Sequence, residues 1–198
     1  MTAILKVDTI QDTAGNNIIN ESSDTITIGA SGDTIALAGT TVTGITQGIT
    51  QADQWRLTAN ITGTNAVITS NLSQVSGAVI GTGMSVSSGI FTFPETGVYL
   101  IISRIEYAAI DANDNVFCST NLTTNNSSYT EIDRPGVSNQ DSNATGEMNT
   151  IGISFVDITN TSTHKVRFET ESMGSGTILN GDANSNETTF SFIRLGDT

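Results

Sequence analysis

One cysteine, two prolines and a single histidine occur in 198 residues. The lone Cys118 can form no intrachain disulfide and cannot build a multi-cysteine zinc cluster. Its place in the alternation Val116, Cys118, Thr120, Leu122 reads as a small buried thiol. Positive charge is equally sparse: 7 Lys and Arg, scattered along the chain, stand against 20 Asp and Glu, for a net charge of -13. A nucleic-acid binder needs a basic patch to displace counterions from phosphates, so nucleic acid is not an expected partner. An anionic bilayer is disfavoured for the same reason, and no apolar run approaches the ~20 residues of a membrane span. Residues 1 to 8 lack the apolar core of a secretion signal, so synthesis in a cytosol and exit by a route such as lysis is expected. Charged residues make up only 14% of the chain, below the usual share of about a quarter, which leaves hydroxyls and amides to carry solubility.

Strand-forming residues fill the gap. Thr, Ser, Asn, Gly, Ile and Val recur throughout, helix formers are sparse, and no window longer than about ten residues holds a helical period. From Gln51 onward the chain reads as one short strand after another. Trp55, Leu57, Ala59 and Ile61 alternate with polar partners, and Phe91 and Phe93 do so before the Pro94-Glu95-Thr96-Gly97 turn. Val98-Tyr99-Leu100-Ile101-Ile102 is apolar on both faces and reads as a central strand covered from two sides. Ile151, Ile153 and Phe155 share a face, Val166 and Phe168 form another stripe, and Phe190, Phe192, Ile193 and Leu195 close the chain. Short antiparallel strands between Gly, Asn, Asp and Ser turns indicate an all-β sandwich or jelly roll. The expected core is Phe91, Phe93, Tyr99, Ile101, Phe155, Phe168, Phe190 and Phe192.

The N-terminal part is organised differently. Asp24-Thr25-Ile26-Thr27-Ile28-Gly29-Ala30-Ser31-Gly32 is followed by Asp33-Thr34-Ile35-Ala36-Leu37-Ala38-Gly39, a nine-residue repeat of one short strand and one turn. Two copies are too few to stack as a solenoid, so the apolar comb Ile26, Ile28, Ile35, Leu37, Val42 and Ile45 is expected to pack against other copies of the chain around a symmetry axis. Three segments result: an attachment arm over 1–22, a β-repeat stalk over 23–50 and a head over 51–198.

Candidate sites are few, and each has a plain alternative. His164 lies in a turn, without the partners of a catalytic triad. No pair of the 20 acidic residues is set apart by an apolar environment suited to glycoside cleavage. Asp111, Asn113 and Asn115 resemble the start of a calcium loop, but Val116 stands where the loop needs glycine and Leu122 where it needs glutamate, so a hairpin turn is the stronger reading. Glu131, Asp133 and Asp141 belong to a polar loop region. Trp55 suits core packing at the base of the head more than sugar stacking. No catalytic residue, cofactor or metal is assigned, and no enzyme activity is expected. Receptor contacts, whose residues stay open, are expected within the polar stretch 123–149.

Two segments carry a resemblance. Gly89-Ile90-Phe91-Thr92-Phe93-Pro94-Glu95-Thr96-Gly97-Val98-Tyr99-Leu100-Ile101 and Thr189-Phe190-Ser191-Phe192-Ile193-Arg194-Leu195 resemble the corresponding strands of the tumour necrosis factor and complement C1q-like globular heads. That resemblance covers roughly residues 51 to 198 and implies a ten-stranded jelly roll assembled as a homotrimer. The opening Ala3-Ile4-Leu5-Lys6-Val7-Asp8-Thr9-Ile10-Gln11-Asp12, with Gly15-Asn16-Asn17-Ile18-Ile19-Asn20, is similar to N-terminal arms of marine bacteriophage fibre proteins. Together they imply a virion appendage, a tail or capsid fibre. Its arm would bind another virion protein and its head would face a host-surface glycan or protein. The alternatives are a decoration or cement protein without receptor binding and, behind it, a glycan-cleaving spike.

Overall fold

A computed structural model of the chain describes residues 9–11, 13–15, 17–22, 25–28, 31–32, 34, 48–141 and 144–198. It divides into two units, Met1–Gln47 and Gly48–Thr198. In the first, β1 (Thr9–Gln11), β2 (Asn17–Ser22) and β3 (Thr25–Ile28) form an antiparallel sheet in that order. The register sets Ile10 opposite Ile19 and Ile19 opposite Ile28, one isoleucine per strand in a single row. The strand of the first nonapeptide thus pairs with β2. Ile26 and Ile28 are placed as strand positions only, and Ile35, Leu37, Val42 and Ile45 lie outside the described residues.

In the second unit the strands are β4 (Ala52–Leu57), β5 (Ala59–Thr62), β6 (Leu72–Ile80), β7 (Ser85–Ser87), β8 (Ile90–Thr92), β9 (Gly97–Ile110), β10 (Asn115–Thr123), β11 (Thr130–Asp133), β12 (Gly136–Ser138), β13 (Gly146–Ile158), β14 (Lys165–Glu171), β15 (Ile178–Asp182) and β16 (Thr189–Gly196). They form a two-sheet, jelly-roll-like sandwich. One sheet runs β11-β10-β14-β8-β7 with β12 also on β10; the other runs β5-β15-β9-β16-β4-β6 with β13 also on β9. Thirteen strands are described here where ten were expected, because turns cut the borders into short pieces. Pro135 interrupts β11 and β12, and a turn at Ser88 and Gly89 separates β7 from β8. Gly89 has φ +77, and a Cβ there would lie 2.1 Å from the Ile68 carbonyl oxygen, so that turn requires glycine.

The strict alternation of β9 sends Tyr99, Ile101, Ser103, Ile105 and Tyr107 inward and Leu100, Ile102, Arg104 and Glu106 outward. Phe91 is the hub of the interior. Its ring lies 5.4 Å from Trp55 and 5.7 Å from Phe168, both edge-on, and 5.1 Å from Phe192. Phe168 and Phe190 stack at 3.8 Å, and Phe93 meets Tyr99 at 4.8 Å. Such aromatic contacts contribute about 0.5–1.5 kcal/mol each beyond the area they bury.

Phe155 corrects the expected core. It is 68% exposed, and its stripe companions Ile151 and Ile153 are exposed as well. The opposite parity of β13, Gly152, Ser154, Val156 and Ile158, faces inward. Space decides this. A Cβ on Gly152 would stand 2.2 Å from Asp133 Oδ2, 2.6 Å from Ser103 Oγ and 2.7 Å from Pro135 Cγ, so the turn between β11 and β12 leaves no room on the inner side for a large residue. The double apolar pattern of β9 resolves similarly. Leu100 and Ile102 face outward and are half-buried.

Burial of weak acids makes the sandwich alkali-sensitive. Burial pushes the Cys118 thiol up to about 12, helped by Glu171 and Asp133, and burial followed by Glu95 pushes Tyr99 up to about 12. Tyr107, whose hydroxyl has no hydrogen-bond partner among the described residues, is raised too, first by burial and then by Cys118 and Glu171. Each folded pKa exceeds its unfolded value, so folding favours the neutral forms. Their contribution is complete below about pH 9 and is lost as the pH climbs toward 12, at up to ~1.4 kcal/mol per pH unit for each group. Urea midpoints measured from pH 8 to 11 should therefore fall steeply above pH 9 to 10; a flat profile would contradict this burial.

Candidate functional site

Within the second unit, the outward face of the seven-stranded sheet carries large exposed apolar side chains. Antiparallel registers align Phe155 with Leu100, Leu100 with Ile193, Ile193 with Ala52, and Ala52 with Ile80. Opposed residues share a face, so one transverse row crosses β13, β9, β16, β4 and β6 without a polar side chain. The next row holds Ile153, Ile102, Ser191 and Gln54, where the Gln54 amide donates to Ser191 Oγ at 3.0 Å. A third row holds Ile151 and Arg104. The Arg104 guanidinium donates to the Glu187 carbonyl at 2.6 Å and to Glu106 Oε2 at 2.9 Å, giving the apolar area a polar border. Isolated exposed apolar residues are ordinary, but a contiguous stripe of this kind marks an interaction surface.

The far edge of the face is shaped by a bulge. Pairing passes from Asp53 with Val79 directly to Trp55 with Gln74, so β6 spends extra residues around Gly77, whose φ is +80. The lip so formed, Gly77 to Ile80, and a floor of Ala52, Asp53, Gln54, Ser191 and Ile193 border an open groove of about 320 Å³. Asp53 holds this edge from beneath. Its buried Oδ2 accepts the Trp55 indole N–H at 2.7 Å, the Met84 amide at 2.8 Å and the Gln74 side-chain amide at 2.9 Å. Hydrogen bonds to a buried charge are worth about 1.5–3 kcal/mol, and truncating the acceptor strands its donors. Asp53→Ala is expected to cost ~3 kcal/mol in a denaturant titration; a loss below ~1 kcal/mol would contradict the hub.

The other sequence candidates scatter. Trp55 is a core residue tied to Asp53 and offers no free ring. His164 sits in a turn, with Thr159 Oγ1 3.4 Å from Nε2 and Thr163 Oγ1 3.2 Å from Nδ1. Asp111 to Asp114 form the turn joining β9 to β10, which begins at Asn115: the Asp114 amide donates to the Asp111 carbonyl, and Asn113 takes φ 57. Among the described residues no group of three or more His, Cys, Asp and Glu side chains could hold a metal ion. Glu131 pairs with Arg134 at 3.7 Å, and the Asp133 carboxylate accepts the Arg134 amide. Asp141 is exposed, and its amide donates to Asn139 Oδ1. Within 123–149, Asn125 Oδ1 accepts the amides of Ser127 and Ser128, fixing an exposed polar loop end. Residues 142 and 143 of that stretch lie outside the described residues. Arg134 stacks over Phe117 and Arg167 over Tyr129, each at 4.1 Å, so both rings are already covered by guanidinium groups.

No protein-family model and no curated protein matches the chain. Solved structures do. Eiger TNF from S. frugiperda superimposes with a TM-score of 0.58 at 12% identity, over 74% of this chain and 93% of that one. Murine APRIL at pH 5.0 gives 0.56 at 14% identity, over 73% and 98%. The fold is that of the tumour necrosis factors. At such identities the likeness is one of architecture. The two segments that resembled the TNF and C1q-like heads in sequence are β8 through β9 and β16. Among the described residues no helix is long and apolar enough to cross a membrane.

Proposed function

We propose that this chain is a homotrimeric, non-catalytic appendage of a virus particle. Its N-terminal segment would attach to another virion protein, and its jelly-roll head would be displayed for attachment to a host-surface glycan or protein. The observation that carries the reading is the apolar row from Phe155 to Ile80 on the outward sheet face, which a solitary head would leave in water. Three copies around an axis would cover it, and a TNF-type sandwich is consistent with such an assembly. The nine-residue repeat at 24–39 supports the same symmetry, since its apolar comb needs partners too. The fold supports a non-enzymatic protein. The virion assignment rests on the opening segment's similarity to phage fibre arms.

Antibodies against the full chain should label purified particles by immunogold electron microscopy on tail or capsid. Particles without label would remove the virion assignment. Fluorescently labelled full chain should also be retained on host cells. Labelled particles combined with no retention would instead select the decoration or cement reading.

A further inference from the structure

We infer that the sandwich interior holds a bound water molecule beside Gly152, where it bridges Ser103 of one sheet to Asp133 of the other. Ser103 lies on β9 of the seven-stranded sheet, and Asp133 ends β11 of the six-stranded one. Gly152 on β13 pairs with Ser103 and brings the two side chains together. From the position a Cβ would take on Gly152, Asp133 Oδ2 is 2.2 Å away and Ser103 Oγ 2.6 Å, so the two oxygens lie within ~5 Å of each other. Both atoms are buried, and neither has a hydrogen-bond partner among the described residues, each other included. A water oxygen ~2.8 Å from each spans such a gap with two hydrogen bonds.

The neighbouring groups leave this oxygen pair to water. Asp133 Oδ1 accepts the Arg134 amide at 2.9 Å, but the Arg134 guanidinium is engaged with Glu171 at 2.7 Å and Glu131 at 3.7 Å. Oδ2 therefore has no cation to answer it. A buried oxygen without a partner costs more than an ordinary hydrogen bond gains, and most when it carries charge. Ser154 Oγ is a third atom of this kind, buried and without a partner among the described residues. It stands on the inward parity of β13, two residues beyond Gly152, which makes Ser103 and Ser154 diagonal neighbours on one face.

Water matches the three groups by donor and acceptor. It accepts from the two serine hydroxyls and donates to the carboxylate, and about three hydrogen bonds are what a buried water makes. A divalent cation calls for about six oxygens or more. Among the described residues no group of three or more His, Cys, Asp and Glu side chains could hold one. The bridge would tie the end of β11, and with it the polar stretch 123–149, to the wall of the sandwich.

A high-resolution crystal structure of the full chain tests this without any substitution. It should show a single density peak ~2.8 Å from both Ser103 Oγ and Asp133 Oδ2. The absence of a peak there would overturn the inference, as would a direct Ser103–Asp133 hydrogen bond or a peak with the ~2.3 Å contacts of a bound cation. In solution, oxygen-17 relaxation dispersion counts the water molecules held longer than the protein tumbles. Ser103→Val puts a methyl group where the hydroxyl stood and should lower that count by one, with the near-ultraviolet circular dichroism of the wild type retained. Ser127→Val on the exposed loop end should leave the count as it is. An unchanged count in folded Ser103→Val would also overturn the bridge, and if valine at 103 prevents folding the crystallographic result decides alone.

Discussion

Phe155→Asp should yield folded single chains in place of the proposed trimer. The side chain is 68% exposed in the single chain and points away from the sandwich core, so aspartate there disturbs no interior contact. The far-ultraviolet signal and the unfolding midpoint of the head should stay within the range of a surface substitution, about 0.5 kcal/mol. Assembly should respond quite differently. Aromatic anchors of an interface cost about 2–4 kcal/mol when truncated, and a carboxylate covered by another copy beside Leu100 and Ile153 would add a desolvation penalty. Size-exclusion chromatography at micromolar concentration should show the variant eluting as a single chain. A variant that stays assembled would show that the outward face is not where the copies meet.

Phe91→Ala acts on the other side of the same wall and should have the opposite signature, a severe loss of stability. The ring is fully buried and touches Trp55, Phe168, Phe190 and Phe192, which come from β4, β14 and β16 of both sheets. Removing it opens a cavity at the point where the sheets are joined, and its neighbours are rings that cannot collapse into the space without leaving their own contacts. Phe→Ala changes in cores cost about 3–5 kcal/mol, a large fraction of the ~5–15 kcal/mol that holds a domain of this size. Urea denaturation of the variant should give a midpoint far below wild type, or an unfolded chain at 37 °C. A shift below ~1 kcal/mol would mean that Phe91 is not the hub.

The contrast between these two phenylalanines shows what the chain reveals by sequence and what it hides. Alternation located β4, β9, β14 and β16, because each carries large apolar residues on the inward parity and charged or polar residues on much of the other. It also located β13, but a period of two says only that two faces exist. Ile151, Ile153 and Phe155 outweigh Gly152, Ser154, Val156 and Ile158 in hydrophobicity, and the inward side went to the smaller set because Asp133, Ser103 and Pro135 crowd it. Crowding of that sort comes from residues many positions away. The same holds for Asp53, whose partners Gln74 and Met84 lie 21 and 31 positions along the chain. Nothing around Ala52-Asp53-Gln54 in the sequence marks a buried carboxylate. The β6 groove was hidden for a related reason, since it is made by a bulge whose only local sign is Gly77.

The two-sided apolar character of Val98 to Ile102 turns out to be the most telling signal of all. It was legible as a strand covered on both faces, and the described residues of Gly48–Thr198 supply one full cover. Sedimentation equilibrium of the full, unmodified chain between 1 and 10 μM tests the second cover most directly. The account predicts a single species with the mass of three 20.7 kDa chains across that range. A stable species of one chain's mass, with Ile151, Ile153 and Phe155 left to solvent, would contradict it.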